Sequence, residues 1–163
     1  MRVEDVMTKD VSVCSPGTNA AAAAEIMWNL DCGILPVLED SGQLVGMVTD
    51  RDLFIALGTQ NRNPSDLQVG EIMHREPSAC SPEDDIRNAL KTMAKQRLRR
   101  LPVVDKSRAI KGLLSIDDVI LHVKAETDGV FKDDVIRTLK AICQNEPRKS
   151  ARQELPQAKL ATA

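Results

Sequence analysis

Displaced by 66 residues, the chain matches itself without a gap. Val3 falls on Val69, Met7 on Met73 and Ser12 on Ser78. Cys14-Ser15-Pro16 falls on Cys80-Ser81-Pro82, Leu35-Pro36-Val37 on Leu101-Pro102-Val103, Gly46 on Gly112 and Asp52 on Asp118. Residues 3–57 and 69–123 share 14 identities in 55 positions, and pairs such as Val6/Ile72, Lys9/Arg75 and Asp10/Glu76 are conservative. Self-similarity at a fixed period means that one supersecondary unit occurs twice. At 163 residues the chain has room for one domain, or for two small ones around a shared core.

Each copy reads in the same order. A short extended segment, Val11–Cys14 or Ser78–Cys80, ends at Ser-Pro, and Pro suits the first turn of the helix that follows. In that helix Ala23, Ile26, Met27 and Leu30 recur at i, i+3, i+4, i+7, and Ile86, Ala89, Leu90 and Met93 repeat the stripe. Two apolar runs come next, 34–38 and 44–48, joined by Glu39-Asp40-Ser41-Gly42; the second copy has 101–104 and 110–114 around Asp105-Lys106-Ser107-Arg108. Such runs flanking a polar turn predict a hairpin. A shorter helix carries Leu53, Phe54 and Leu57, matched by Val119, Ile120 and Val123. The expected class is α+β (α/β), built from two β-α-β-β-α repeats: 1–57, a polar linker 58–68 containing Asn63-Pro64, and 69–124. A helical extension over 125–145 follows, with Phe131, Val135, Ile136, Leu139 and Ile142 on one side. The weakly basic stretch 146–163 reads as a disordered tail.

Composition removes several functions. Lys and Arg total 22 against 24 acids, for a net charge of −2, so no electrostatic case exists for tight nucleic-acid or membrane-surface binding. One Trp, two Phe and no Tyr leave no aromatic platform for stacking bases, so any base would lie against aliphatic walls and backbone. No apolar run reaches the roughly 18 residues of a membrane span, and Met1–Asp5 lacks the apolar stretch of a secretory signal. Four cysteines without a C-x-x-C pair point to a reducing, cytoplasmic setting. The matched Cys14 and Cys80 read as core packing rather than redox chemistry. His74 and His122 lack ligand-spaced companions, so no zinc pattern is present, and no nucleophile–base set, Walker loop or Gly-rich dinucleotide loop occurs. No catalytic cofactor and no enzymatic activity are expected.

One motif remains. Thr49-Asp50-Arg51-Asp52 and Ser115-Ile116-Asp117-Asp118 stand where a strand ends and a helix begins. A hydroxyl followed three residues later by an acid is a capping box, the acids also suiting the positive end of the helix. The same geometry suits a phosphorylated sugar: free N–H groups at a helix start attract phosphate, and an acid one turn in can accept from two neighbouring hydroxyls. The two roles are compatible.

The ordered set, twice over, of an Ala/Met-rich first helix, a Leu-Pro-Val strand and Gly-x-x-Thr/Ser-x-x-Asp resembles a tandem CBS-domain pair (Bateman module). The opening Val-x-Asp-Val-Met-Thr and the Val-Thr-Asp-Arg-Asp segment are similar to bacterial members. The likeness covers about residues 1–124. It implies two repeats packed through their sheets around a pseudo-two-fold axis, leaving two clefts that take AMP, ADP, ATP, S-adenosylmethionine or a dinucleotide as a regulatory ligand. Carried over, Thr49, Arg51 and Asp52 would serve one cleft and Ser115, Asp117 and Asp118 the other. Cys32, Gly33 and Ile34 would face Ser115 and Asp118 of the opposite copy, Leu98, Arg99 and Arg100 would face Thr49 and Asp52, and backbone near Val11 and Pro77 would complete the base pockets. The clefts differ, since Arg51 is replaced by Asp117 and Gly33-Ile34 by Arg99-Arg100. The likeness also implies a homodimer formed through helices and an effector protein that receives the signal. The C-terminal helix is expected on the partner subunit or on that effector. A ligand-free dimerisation or scaffold module is the alternative.

Overall fold

A computed structural model of the chain describes residues 1–122 and 129–144. Val123, the first residues of the extension and the tail 146–163 lie outside them.

The first repeat contains helix α1 (Ala20–Asn29), strands β1 (Ile34–Leu38) and β2 (Leu44–Thr49), and helix α2 (Asp50–Gln60). The second contains a short helix α3 (Val69–Ile72), strand β3 (His74–Arg75), helix α4 (Ile86–Gln96), strands β4 (Arg100–Val104) and β5 (Ile110–Ser115), and helix α5 (Ile116–His122); α6 (Gly129–Cys143) follows. Both predicted hairpins are present, antiparallel and in the same register: Ile34 faces Thr49 as Arg100 faces Ser115. Helices α1 and α4 start where a side chain satisfies an orphan N–H. Asn19 accepts from Ala22 and Asp85 from Arg87.

The extended segments expected at Val11–Cys14 and Ser78–Cys80 are reduced to single parallel bridges, Cys14 to Val37 and Cys80 to Val103. Helix α2 runs on to Gln60, into the stretch expected as linker, because residues 58–60 keep helical backbone until Asn61 turns left-handed. In α1 the buried residues are Ala20, Ala23 and Met27, while Leu30 is exposed beyond the last turn; Phe54 likewise faces outward from α2. The matching stripe in α4 is wholly buried.

The sequence repeat and the packed unit do not coincide. Val3 and Val6 lie in the core of the second repeat, with Ile86, Leu90, Met93, Leu101 and Leu114. Reciprocally, Leu67, Val69 and Met73 lie in the core of the first, with Ala23, Met27, Leu35, Val48 and Leu53. Each copy therefore lends its leading segment to the other. Two glycines make room for this. A Cβ on Gly46 would stand 2.6 Å from Met73 Sδ and 3.0 Å from the His74 carbonyl oxygen; one on Gly112 would stand 2.6 Å from the Thr8 carbonyl oxygen. The glycine of the Gly-x-x-Thr/Ser motif thus serves backbone approach between strands.

The repeats meet along a seam of Leu44, Met47 and Val104, flanked by Ile34, Leu38, Ala79, Ile110 and Leu113. Gln43 and Ala109, equivalent under the 66-residue repeat, form an antiparallel bridge with each other. The pseudo-two-fold axis passes between them.

Helix α6 packs on its own chain, not outward. Phe131 and Val135 are buried in the second repeat's core with Leu139 alongside, and Arg87 on α4 pairs with Asp134 at 3.6 Å. Ile136, expected on the same side, is half exposed. Its place is taken by Thr138, buried with its hydroxyl donating to the Asp134 carbonyl at 2.8 Å.

Candidate functional site

Both hydroxyl–acid boxes are closed hydrogen-bond rings. Asp52 N–H donates to Thr49 Oγ1 at 3.2 Å, while Asp52 Oδ2 accepts from Thr49 N–H at 2.9 Å and from Thr49 Oγ1 at 2.6 Å. In the second copy Asp118 N–H donates to Ser115 Oγ at 2.9 Å, and Asp118 Oδ2 accepts from Ser115 N–H at 2.9 Å and Ser115 Oγ at 2.6 Å. The strand delivers the hydroxyl and the helix delivers the acid. The box fixes the start of α2 and of α5 by satisfying a first-turn N–H from within the chain.

The backbone of Gly33 and Ile34 is tied to the box of its own copy, and Ile34 also packs on the seam with the second repeat. Asp50 N–H donates to the Gly33 carbonyl at 3.1 Å and Ile34 faces Thr49 across the hairpin. Likewise Ile116 N–H donates to the Arg99 carbonyl at 2.9 Å and Arg100 faces Ser115. The cause is local. Helices α1 and α4 end at left-handed Asp31 and Arg97, and the chain then drops directly into the strand that pairs with the Thr or Ser. Gly33 also leaves space for Asp50, since a Cβ there would lie 3.0 Å from Asp50 Oδ2.

The electrostatics of the two boxes diverge. Arg51 is exposed in the first turn of α2, and its guanidinium has no hydrogen bond or ion pair among the described residues; the same holds for Arg99 and Arg100 beside Ser115. Two uncommitted guanidinium groups thus stand on the side that carries exposed Asp117, and one stands on the other. Cys32 and Leu98 are half-buried and pack on the cores of their own copies. Val11 and Pro77 are half-buried.

A histidine that no motif of the sequence singles out joins the first box. His74, on β3 and therefore beside β2, places Nε2 3.0 Å from Asp52 Oδ1. No spacing rule signals this contact, because it depends on the exchange of leading segments. His122 instead turns to its own helix, Nδ1 donating to the Asp118 carbonyl at 2.7 Å. Two surface hollows, one of about 460 Å³ lined by Ser15, Pro16, Gly17, Glu39, Asp40 and Ser41 and one of about 200 Å³ lined by Met1, Asp85, Ile86, Arg87 and Phe131, share no residue with either box. Burial pushes the Cys14 thiol up to about 11 and, with Asp84 nearby, Cys80 up to about 12, so neither is a nucleophile near neutral pH.

The profile of the CBS domain matches residues 3–59 and again 69–125. The chain belongs to the CBS domain family. The CBS domain-containing protein YhcV of Bacillus subtilis is 33% identical over 120 residues, covering 74% of this chain and 84% of YhcV. The CBS domain pair of protein MJ0100, solved with 5'-methylthioadenosine and S-adenosyl-L-methionine, superposes with a TM-score of 0.67 at 26% identity, over 74% of this chain and 98% of that one. CBSX2 in complex with AMP superposes with a TM-score of 0.64 at 29% identity, over 74% and 93%. No helix among the described residues is long and apolar enough to cross a membrane. As a CBS pair the chain supplies two boxes related by the seam axis.

Proposed function

We propose that the chain is a regulatory CBS pair that binds an adenosyl ligand, of the AMP, ADP, ATP or S-adenosylmethionine type, at the Thr49/Asp52 and Ser115/Asp118 boxes, and that it passes the signal to an effector protein. The observation that carries this reading is the pairing, in both copies, of a hydroxyl–carboxylate box at a helix start with an uncommitted guanidinium beside it: Arg51 in one, Arg99 and Arg100 in the other. Such a set matches a ribose diol next to a phosphate, the carboxylate accepting from the sugar and the arginines forking onto phosphate oxygens. The adenosyl ligands of the MJ0100 pair and of CBSX2 support the same class. The ligand acts by binding one relative arrangement of the repeats better than another.

We also infer that the protein pairs with a second copy through its helices, because Trp28, Phe54 and Leu121 stand 86%, 77% and 83% exposed on α1, α2 and α5.

Titration calorimetry with AMP, ATP and S-adenosylmethionine tests the reading. Heat that is lost in parts with Asp52→Ala and Asp118→Ala supports two non-equivalent sites. A scaffold reading has one observation in its favour, that both boxes are fully satisfied as helix caps without any ligand; it predicts no heat with any of the three.

A further inference from the structure

The two boxes differ in one carboxylate oxygen. Asp52 has both oxygens engaged, Oδ2 by Thr49 and Oδ1 by His74 at 3.0 Å. Asp118 has Oδ2 engaged by Ser115, while its Oδ1 has no hydrogen-bond partner among the described residues. The origin of the difference is a single position of the repeat. His74 pairs with Met47 on β2, and Thr8 pairs with Leu113, the equivalent of Met47, on β5. Imidazole is long enough to cross from the edge strand to the first turn of α2. The threonine in the same place makes only its backbone bonds, N–H to the Leu113 carbonyl at 3.0 Å and the return at 2.9 Å. Steric necessity does not hold His74 there, since its side chain is 58% exposed and that of Asp52 is 18% exposed.

We propose that His74 is a specificity-determining residue of the Thr49/Asp52 cleft: its ring stands on the carboxylate oxygen that a ribose hydroxyl needs, so a nucleoside ligand competes with it for Asp52. This rests on the adenosyl-binding reading above. The consequence is that the first box answers only to a higher ligand concentration than its chemistry would otherwise require, and that the two clefts of one molecule fill in turn. Displacing His74 returns Asp52 Oδ1 to the ligand, so removing His74 makes binding tighter. General damage to the site cannot produce that direction of change.

The test is calorimetry of the full chain with AMP in an Asp118→Ala background, which isolates the first cleft, with and without His74→Thr, the residue the other copy carries at this place. The expected result is a Kd about threefold to tenfold lower with His74→Thr, the range of one net hydrogen bond, and no change from the same substitution in an Asp52→Ala background. In the unsubstituted chain, saturation with AMP moves the His74 imidazole nitrogen resonances as the ring leaves Asp52. An unchanged or weaker Kd with His74→Thr, while the first cleft still binds AMP, overturns the proposal and leaves the adenosyl-binding reading standing. Where AMP gives no heat, the same comparison is made with ATP or S-adenosylmethionine, and absence of heat with all three from the unsubstituted chain overturns both.

Discussion

The backbone of Thr8 pairs with Leu113 in both directions, at 3.0 and 2.9 Å. A residue of the first copy's leading segment is thus hydrogen-bonded to the last strand of the second. His74 and Met47 repeat the relation in the other direction. Neither copy has a complete core without the leading segment of its neighbour, so the pair is expected to unfold as one unit.

Substituting either close-approach glycine checks that exchange. In Gly112→Ala the new methyl meets the Thr8 carbonyl oxygen at 2.6 Å, and a paired backbone oxygen cannot swing aside. In Gly46→Ala the nearest atom is the flexible Met73 sulfur, with the His74 carbonyl at 3.0 Å. Urea denaturation should show a loss of about 1–3 kcal/mol for Gly112→Ala and a smaller loss for Gly46→Ala. Equal, negligible effects would mean that the leading segments do not lie where they are described.

The carboxylates carry two duties that substitution separates. Asp118→Ala opens the capping box and should lower stability by about 0.5–2 kcal/mol even without ligand. On the adenosyl-binding reading it also removes the second cleft's contribution to the thermal shift with AMP. Asp85→Ala, which deletes only the cap of α4, should cost a similar amount while leaving the AMP shift in place.

Docking of α6 predicts a contrast on one helix. Phe131 is 4% exposed in the second repeat's core and Ile136 is 50% exposed. Phe131→Ala should cost about 3–5 kcal/mol. Ile136→Ala should stay within about 0.5 kcal/mol. Chemical denaturation of the two variants side by side is the check.

Thiol titration follows from burial. Cys14 and Cys80 have folded values raised to about 11 and about 12 from an ordinary thiol value of 9.0. Below about pH 9 both are neutral whether the chain is folded or not, and their contribution is fully present. Between pH 9 and about 11–12 the unfolded chain ionises first, so stability falls with rising pH. At neutral pH a thiol reagent should label exposed Cys143 first and leave Cys14 and Cys80 untouched until unfolding. Rapid labelling of all four cysteines of the folded chain would contradict the burial.

Trp28 is the one tryptophan and is 86% exposed. If the protein pairs through α1, dilution should shift its emission to the red as the ring returns to water, and Trp28→Glu should favour the monomer in sedimentation. Emission independent of concentration would place the interface elsewhere.

Much of this was already legible in the residues. The repeat shows when the chain is laid against itself, and the hairpins, the capping boxes and the buried stripe of α4 depend on residues close in sequence, so periodicity, turn residues and spacing report them directly. Tertiary structure alone decided which copy receives Val3 and Val69, where α6 docks, and that His74 reaches Asp52. The physical reason lies in the duplication itself. Val3 and Val69 are the same residue in the same local setting, and Gly46 and Gly112 open the same slot, so local energy favours neither choice. Only the path of the chain through the shared seam distinguishes them, and with that choice comes the unequal setting of Asp52 and Asp118.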